Sequence, residues 1–200
     1  MPTLDYTPNQ RNGRPMIVGV AGYKRSGKDA AISAISATAR EGVLVTQWAG
    51  PVKFIARLMF GLDTKHVEGL DYDRDKAEPW LQDHSVRDVL RAIGMMGRRF
   101  DPDVWVNKAI NNALRDARAR RPQPHLILVS GTRFKNEAEV CDEVWWVRRP
   151  GFGSDGHASE VGLSSEDADV ILENDSNLDT LRHRAINLAE SRLSLWLNRG

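Results

Sequence analysis

Gly22-Tyr23-Lys24-Arg25-Ser26-Gly27-Lys28-Asp29 follows the apolar run Met16-Ile17-Val18-Gly19-Val20 and precedes a stretch carrying Ala30, Ala31, Ile32, Ala34, Ile35 and Ala37. The eight residues fit the pattern G-x-x-x-x-G-K. In that pattern glycines let backbone N–H groups turn inward around a phosphate, and the helix that follows aims its positive end at the same point. Lys28 adds a mobile positive charge. The apolar run before it and the helix-forming residues after it supply the strand and helix that the pattern needs as context. Asp29 departs from the pattern, standing where Ser or Thr ordinarily holds magnesium. An ordinary strand, turn and helix without a ligand is the competing reading of the same residues.

The 200-residue chain carries 28 Lys and Arg against 27 Asp and Glu, a net charge of +1, so no global field draws it to nucleic acid or to a membrane surface. A hydrophobic content of 41% suffices for a core. The single cysteine, Cys141, forms no internal disulfide, and no apolar run approaches the ~20 residues that cross a bilayer. The expectation is a soluble protein of a reducing cytoplasm. Residues 1–15, with Pro2, Pro8, Asn9, Asn12, Gly13 and Pro15 and no apolar segment, read as a flexible N-terminal arm. Residues 16–200 then form a single domain.

Gly42 ends the first helix, and Val43 to Trp48 reads as a second strand. Pro51 opens a helix whose apolar positions are Val52, Ile55, Ala56, Met59 and Phe60, with Lys53 and Arg57 on its other face as a solvated flank or a ligand contact. Gly61 to Asp83 is polar and irregular, and its His66, like His84, lacks a second ligand at metal spacing. Ser85 caps the next helix with Asp88 at the third position, and Val86, Val89, Leu90, Ile93 and Gly97 mark its buried stripe. Arg87 and Arg91 lie one turn apart on another face, and Arg98 and Arg99 follow past a glycine-punctuated end. Pairing with Asp83, Asp88, Asp101 and Asp103 competes with phosphate binding as the reason for these arginines.

Asp101-Pro102-Asp103 starts a helix bearing Val106, Ile110, Ala113, Leu114 and Ala117, and Leu126 to Ser130 reads as a buried parallel strand. Gly131, Thr132, Arg133 and Phe134 follow it, at the carboxyl end where open α/β sheets bind ligands. Val144 to Val147 and Val170 to Asn174 are two further strands, and Ser176 or Asn177 caps a last helix. Between them residues 149–166 carry four glycines, His157, Ser159 and Glu160, and read as a lid over phosphates or as a disordered loop. The alternation of strands and helices argues for a three-layer α/β fold with a mainly parallel sheet of about five strands.

Taken together, these segments resemble the deoxynucleoside monophosphate kinases of bacteriophages, a branch of the P-loop nucleotide kinases. The resemblance runs from Val18 to about Leu181. It is carried by Gly22 to Asp29, including Asp after the lysine; Trp48-Ala-Gly-Pro-Val-Lys53; Val86 to Gly94; Gly97-Arg98 leading to Asp103-Val-Trp105-Val; Thr132-Arg-Phe-Lys-Asn-Glu137; and His157-Ala-Ser-Glu160. It implies the P-loop kinase fold with a lid, an acceptor-binding helical region at about 61–100, and transfer of the ATP γ-phosphoryl group to a deoxynucleoside monophosphate (dNMP) with Mg²⁺.

On the same resemblance Gly22, Lys24, Arg25, Ser26, Gly27, Lys28, Asp29 and Ala30 would line the donor's phosphates, and Asp29 would bind the metal. Arg87 and Arg98 would bind the acceptor phosphate, with Lys53, Arg91, Trp105 and Glu160 near the acceptor. Lys28, Arg133, Arg148 and Arg149 would stabilise charge on the transferred group. No nucleic-acid or membrane partner is implied, a homodimer is left open, and a phage origin would place the chain in the host cytoplasm.

Three departures stand out. Gly50 and Gly131 occupy positions where the family usually has Asp, which leaves Asp29 with a larger share of the metal. Arg91 stands in place of Gln, with Met95 and Met96 in place of polar residues, and this bears on base preference. Phosphomevalonate kinase has a similar Lys-Arg-x-Ser-Gly-Lys-Asp loop, so another small phosphorylated acceptor is the alternative substrate. A nucleotide-binding module without catalysis is the alternative of a different class.

Overall fold

A computed structural model of the chain describes residues 7–10, 13–68, 73–153 and 162–198. They form two compact units, Ala49–Ala109 and the remainder of the chain.

The larger unit is built on a five-stranded sheet in the order β2-β5-β1-β6-β7. Its strands are β1 (Met16–Ala21), β2 (Val43–Gln47), β5 (Leu126–Ser130), β6 (Glu143–Arg148) and β7 (Val170–Glu173). Every neighbouring pair is parallel, with Val18 beside Leu128 on one side of β1 and Glu143 on the other. Parallel strands need both faces covered, which is why β1 and β5 are near-continuous apolar runs rather than alternating ones. Helices α1 (Lys28–Ala39) and α7 (Leu178–Leu197) cover one face, where Val18, Val20, Leu128 and Trp145 pack with Ile32, Ile35, Leu181, Ala185 and Trp196. The alternate residues Ile17, Ile127, Val129, Val144 and Trp146 are buried as well, so the second face is also shielded. Helix α5 (Val104–Ala119) carries a buried stripe of Ile110, Ala113, Leu114 and Ala117 at helical spacing.

The amino-terminal edge of the sheet is held by a buried ion pair. Arg14 reaches both carboxylate oxygens of Asp142 at 2.6 and 2.7 Å, and the two side chains are 7% and 1% exposed. The same carboxylate accepts the backbone N–H groups of Ile17 and Asn9, and the Arg14 guanidinium lies 5.1 Å over the Trp196 ring. Arg14 falls within the stretch expected to be a flexible arm, yet it is fixed by a partner 128 residues away.

The smaller unit contains α2 (Gly50–Phe60), α3 (Thr64–Glu68), a short hairpin of β3 (Ala77–Glu78) and β4 (His84–Ser85), α4 (Val86–Phe100) and the start of α5. Val52, Ala56, Leu62, Val67, Val86, Val89, Ile93 and Trp105 form its core. Three expectations are corrected here. Met59 and Phe60, read as core positions of α2, are exposed, Met59 by 64%. Lys53, read as lying on the outer face, is 9% exposed and donates to Glu68 Oε2 at 2.6 Å. The cause is α3, which brings a carboxylate to that flank and so allows the lysine stem to be buried. Gly97 does not end α4 but lies inside it, and its glycine makes room for the Trp105 indole, which a Cβ there would approach to 2.3 Å. Among the described residues no helix is long and apolar enough to cross a membrane.

Removing one partner of a buried ion pair leaves an uncompensated charge, so Asp142→Ala should lower the unfolding free energy by about 3–5 kcal/mol. Urea unfolding followed by Trp fluorescence measures it, and a loss below about 1 kcal/mol would show that Arg14 finds another partner.

Candidate phosphate site and its surroundings

The loop between β1 and α1 turns through three residues with positive φ, Gly22 at 134°, Arg25 at 63° and Gly27 at 104°. Two of these must be glycine for a second reason. A Cβ on Gly22 would come 2.5 Å from the Val147 carbonyl oxygen, and one on Gly27 would come 2.7 Å from Asn174 Nδ2 and 2.8 Å from Leu181 Cδ2. The loop is thereby drawn against the carboxyl ends of β6 and β7. Lys28 folds back over it, its ammonium donating to the carbonyls of Gly22 and Tyr23 at 2.8 and 2.6 Å.

Two features of this loop suit an anion. Gly27 caps α1 without a side-chain hydrogen bond, so no side chain satisfies the first N–H groups of the helix there. Ser26 is 1% exposed and its Oγ has no hydrogen-bond partner among the described residues. A buried hydroxyl without a partner is costly unless a ligand completes it. Asp29 lies in the first helical turn and is exposed, as are Lys24 and Arg25, while Ala30 is half-buried. The described residues contain no cluster of three or more His, Cys, Asp or Glu able to hold a metal.

At the end of β5 the chain turns at Gly131, φ 77°, and the N–H groups of Gly131 and Thr132 both donate to the Val20 carbonyl. Thr132 is buried and its hydroxyl accepts the Trp48 indole N–H at 3.0 Å. Gly19 permits this, since a Cβ on it would come 2.7 Å from Thr132 Oγ1. Arg133 is exposed on the turn that follows. The buried carboxylate of Glu137, in α6 (Lys135–Glu139), accepts the N–H groups of Arg133 and Phe134 at 2.7 and 3.1 Å and so sets the direction of that turn. The far end of the expected lid meets the same turn, because a Cβ on Gly162 would come 2.2 Å from the Arg133 carbonyl oxygen.

Arg148 and Arg149 leave the end of β6 in different ways. Arg148 is paired with Glu173 of β7 through several hydrogen bonds, which raise its pKa above the ordinary arginine value. Arg149 reaches the phosphate loop, donating to the Arg25 carbonyl at 3.3 Å while its guanidinium lies 4.6 Å over the Phe152 ring. Glu160, with His157 and Ser159, lies outside the described residues.

In the smaller unit α4 sorts its residues by face. At ~100° per residue Arg87, Arg91 and Arg98 fall within about 40° of one another around the axis, on the side of the helix away from the core stripe of Val86, Val89 and Ile93. Arg87 is ion-paired with Asp75, and its N–H donates to the Arg74 carbonyl. Arg91 sits 4.0 Å from Asp88, and Arg98 is exposed. The competing reading of these arginines as carboxylate partners holds for Arg91, beside the expected Asp88, and for Arg87, whose partner is Asp75 rather than the acids nearer in sequence. Trp105, expected near the acceptor, is buried in the core of this unit, and its indole N–H donates to the Gly94 carbonyl at 2.8 Å.

No protein-family model matches the chain, and no curated protein matches it. Solved structures do. TT1252 from Thermus thermophilus is 16% identical, covers 90% of this chain and 98% of its own, and superposes with a TM-score of 0.53. The dephospho-CoA kinase from Campylobacter jejuni, 12% identical over 88% of this chain and 97% of its own, gives 0.46. A Janibacter sugar kinase, 15% identical over 90% and 97%, gives 0.38. At 16% identity the likeness to TT1252 is one of fold alone. The class defined here is an α/β protein with a five-stranded parallel sheet and a phosphate-type loop after its central strand.

The start of α4 offers a direct test of how its arginine flank is held. The Ser85 hydroxyl and backbone N–H both donate to the Asp88 carboxylate and hold its pKa below the ordinary carboxylate value. A lowered folded-state pKa contributes stability that is present above the unfolded value and lost as pH falls through the lowered one. Asp88→Asn should therefore melt below wild type at neutral pH, with the gap closing as pH falls through and below the ordinary carboxylate range. A gap independent of pH would show that the cap does not depend on the carboxylate charge.

Proposed function

We propose that this protein is a P-loop kinase that transfers the γ-phosphoryl group of ATP to a deoxynucleoside 5′-monophosphate, giving the diphosphate. The observation that carries the reading is the loop from Gly22 to Asp29. There, two obligatory glycines, an uncapped helix end, a buried unpaired Ser26 hydroxyl and the Lys28 ammonium converge. These groups fit a polyphosphate: N–H donors and a hydroxyl for its oxygens, and an ammonium that exchanges two carbonyl contacts for charged ones.

Bound ATP with Mg²⁺ supplies the electrophilic phosphorus and neutralises charge on the transferred group. The protein's part is positioning. Lys28 and the loop from Gly22 to Ala30 hold the donor phosphates. Asp29, the carboxylate beside the lysine, would hold the metal, which would neutralise charge on the donor's phosphates. Arg133, held on its turn by Glu137, and Arg149, at the loop's edge, stabilise charge on the group in transit. Arg148 joins them after exchanging Glu173 for phosphate. On α4 the flank of Arg87, Arg91 and Arg98 recognises the acceptor's phosphate, with Asp75 standing in for it in the free protein. Lys53, bonded to Glu68 in the free protein, lies near the acceptor.

Gly131 favours a second reading. It stands at the carboxyl end of β5 with open space at its Cβ position, and it brings no carboxylate to a place that could hold metal or orient an acceptor hydroxyl. On this reading the chain binds ATP without transferring phosphate.

ATP consumption measured against a panel of deoxynucleoside monophosphates and phosphomevalonate separates these readings. Turnover with at least one deoxynucleoside monophosphate supports the first. Turnover with phosphomevalonate alone, or ATP binding without any turnover, overturns it. Lys28→Ala should lower kcat by at least about 100-fold with little change in melting temperature. Arg87→Ala should raise the acceptor KM about tenfold or more while leaving the KM for ATP near wild type; an effect confined to ATP would remove Arg87 from the acceptor site.

A further inference from the structure

We propose that Asn174, at the end of β7, is a positioning residue for the phosphate loop: its side-chain amide fixes the peptide between Ser26 and Gly27 so that the Gly27 N–H is presented to the nucleotide's phosphates. The inference rests on the reading of that loop as a nucleotide site.

The geometry is simple. Asn174 Nδ2 donates to the Ser26 carbonyl oxygen at 2.8 Å, across 148 residues of sequence. In a trans peptide the C=O and the N–H of the next residue lie in one plane and point in opposite directions. Anchoring the Ser26 oxygen on the β7 side therefore turns the Gly27 N–H away from Asn174. Without the anchor this peptide has an easy alternative, because Gly27, at φ 104° and ψ 10°, can adopt either sign of φ at little cost. A flipped peptide would present a carbonyl oxygen to the phosphates.

Asn174 is itself held from two directions. Its backbone N–H donates to the Arg148 carbonyl at 2.7 Å, tying it to the end of β6. Arg184 of α7 donates to the carbonyl of Glu173 at 2.9 Å and to the carboxylate of Asp175 at 2.6 Å, gripping the residues on either side. The amide lies so close to the loop that only glycine is accommodated at position 27. The bond demands an NH₂ group facing the carbonyl, and an isosteric carboxylate would set two oxygens against each other.

The test compares wild type, Asn174→Asp and Asn174→Ala in the full chain, measuring binding of ATP and of inorganic tripolyphosphate by calorimetry without acceptor, together with the melting temperature. Asn174→Asp keeps the shape and loses the donor. It should weaken both ligands about tenfold or more, the scale of one hydrogen bond set correctly against a charged group. The melting temperature should move by only a few degrees. Asn174→Ala carries the same readout if the Asp variant fails to fold. Binding of both ligands within twofold of wild type overturns the proposal. So does a loss for ATP with tripolyphosphate unchanged, which would place Asn174 at the base or sugar instead. If wild type itself binds neither ligand, the nucleotide reading of the loop fails first and the proposal with it.

Discussion

The approach of the Gly22 to Gly27 loop to the carboxyl ends of β6 and β7 is the constraint on which the rest of the larger unit depends. Val147 leaves no room for a side chain at position 22, and Asn174 with Leu181 leaves none at position 27. The loop can fold this tightly only because β1 is central and its neighbour β6 runs parallel to it, so that their carboxyl ends finish side by side. Parallel order in turn requires both faces of the sheet to be covered, which accounts for the apolar runs of β1 and β5 and the amphipathic helices around them.

Polar side chains that brace the backbone of this unit divide between the two edges of the sheet. At the amino-terminal edge Asp142 gathers Arg14 and two backbone N–H groups, and Asp169 accepts the Val144 N–H at 2.7 Å. These bonds close the ends of strands. At the carboxyl edge Thr132, Glu137 and Asn174 each hold a loop rather than a strand. Open α/β sheets bind ligands at that edge because the chain there is free to turn outward, and each turn then needs its own polar brace.

The smaller unit solves a different problem, the display of cations from a short helix. The Ser85 and Asp88 capping box fixes where α4 begins, and its helical period then places Arg87, Arg91 and Arg98 on one flank without any further device. Carboxylates keep such a flank from repelling itself in the free protein, as Asp75 does for Arg87. Exposed pairs of this kind contribute little to stability, so they are broken at small cost.

Local chemistry made much of this legible in the sequence. The five parallel strands, the loop between β1 and α1 and the cap at Ser85 were all readable because each depends on residues within a few positions of one another. What failed to read depended on partners distant in the chain. Lys53 read as a solvated flank or a ligand contact until Glu68 of α3 supplied its carboxylate, and Gly97 looked like a helix end until Trp105 filled its missing Cβ. Nothing near Asn174 signals that its amide serves a carbonyl 148 residues earlier. By itself the sequence determined the five strands of the sheet, its main helices and the G-x-x-x-x-G-K loop after the first strand, since periodicity and glycine spacing act locally, but not α3 or the hairpin of β3 and β4, which lie in and beside the stretch read as irregular. Only the tertiary structure decided which polar side chains are buried and what each one holds, because a hydrogen bond is satisfied by whatever the fold brings within 3 Å, not by what stands nearby in sequence.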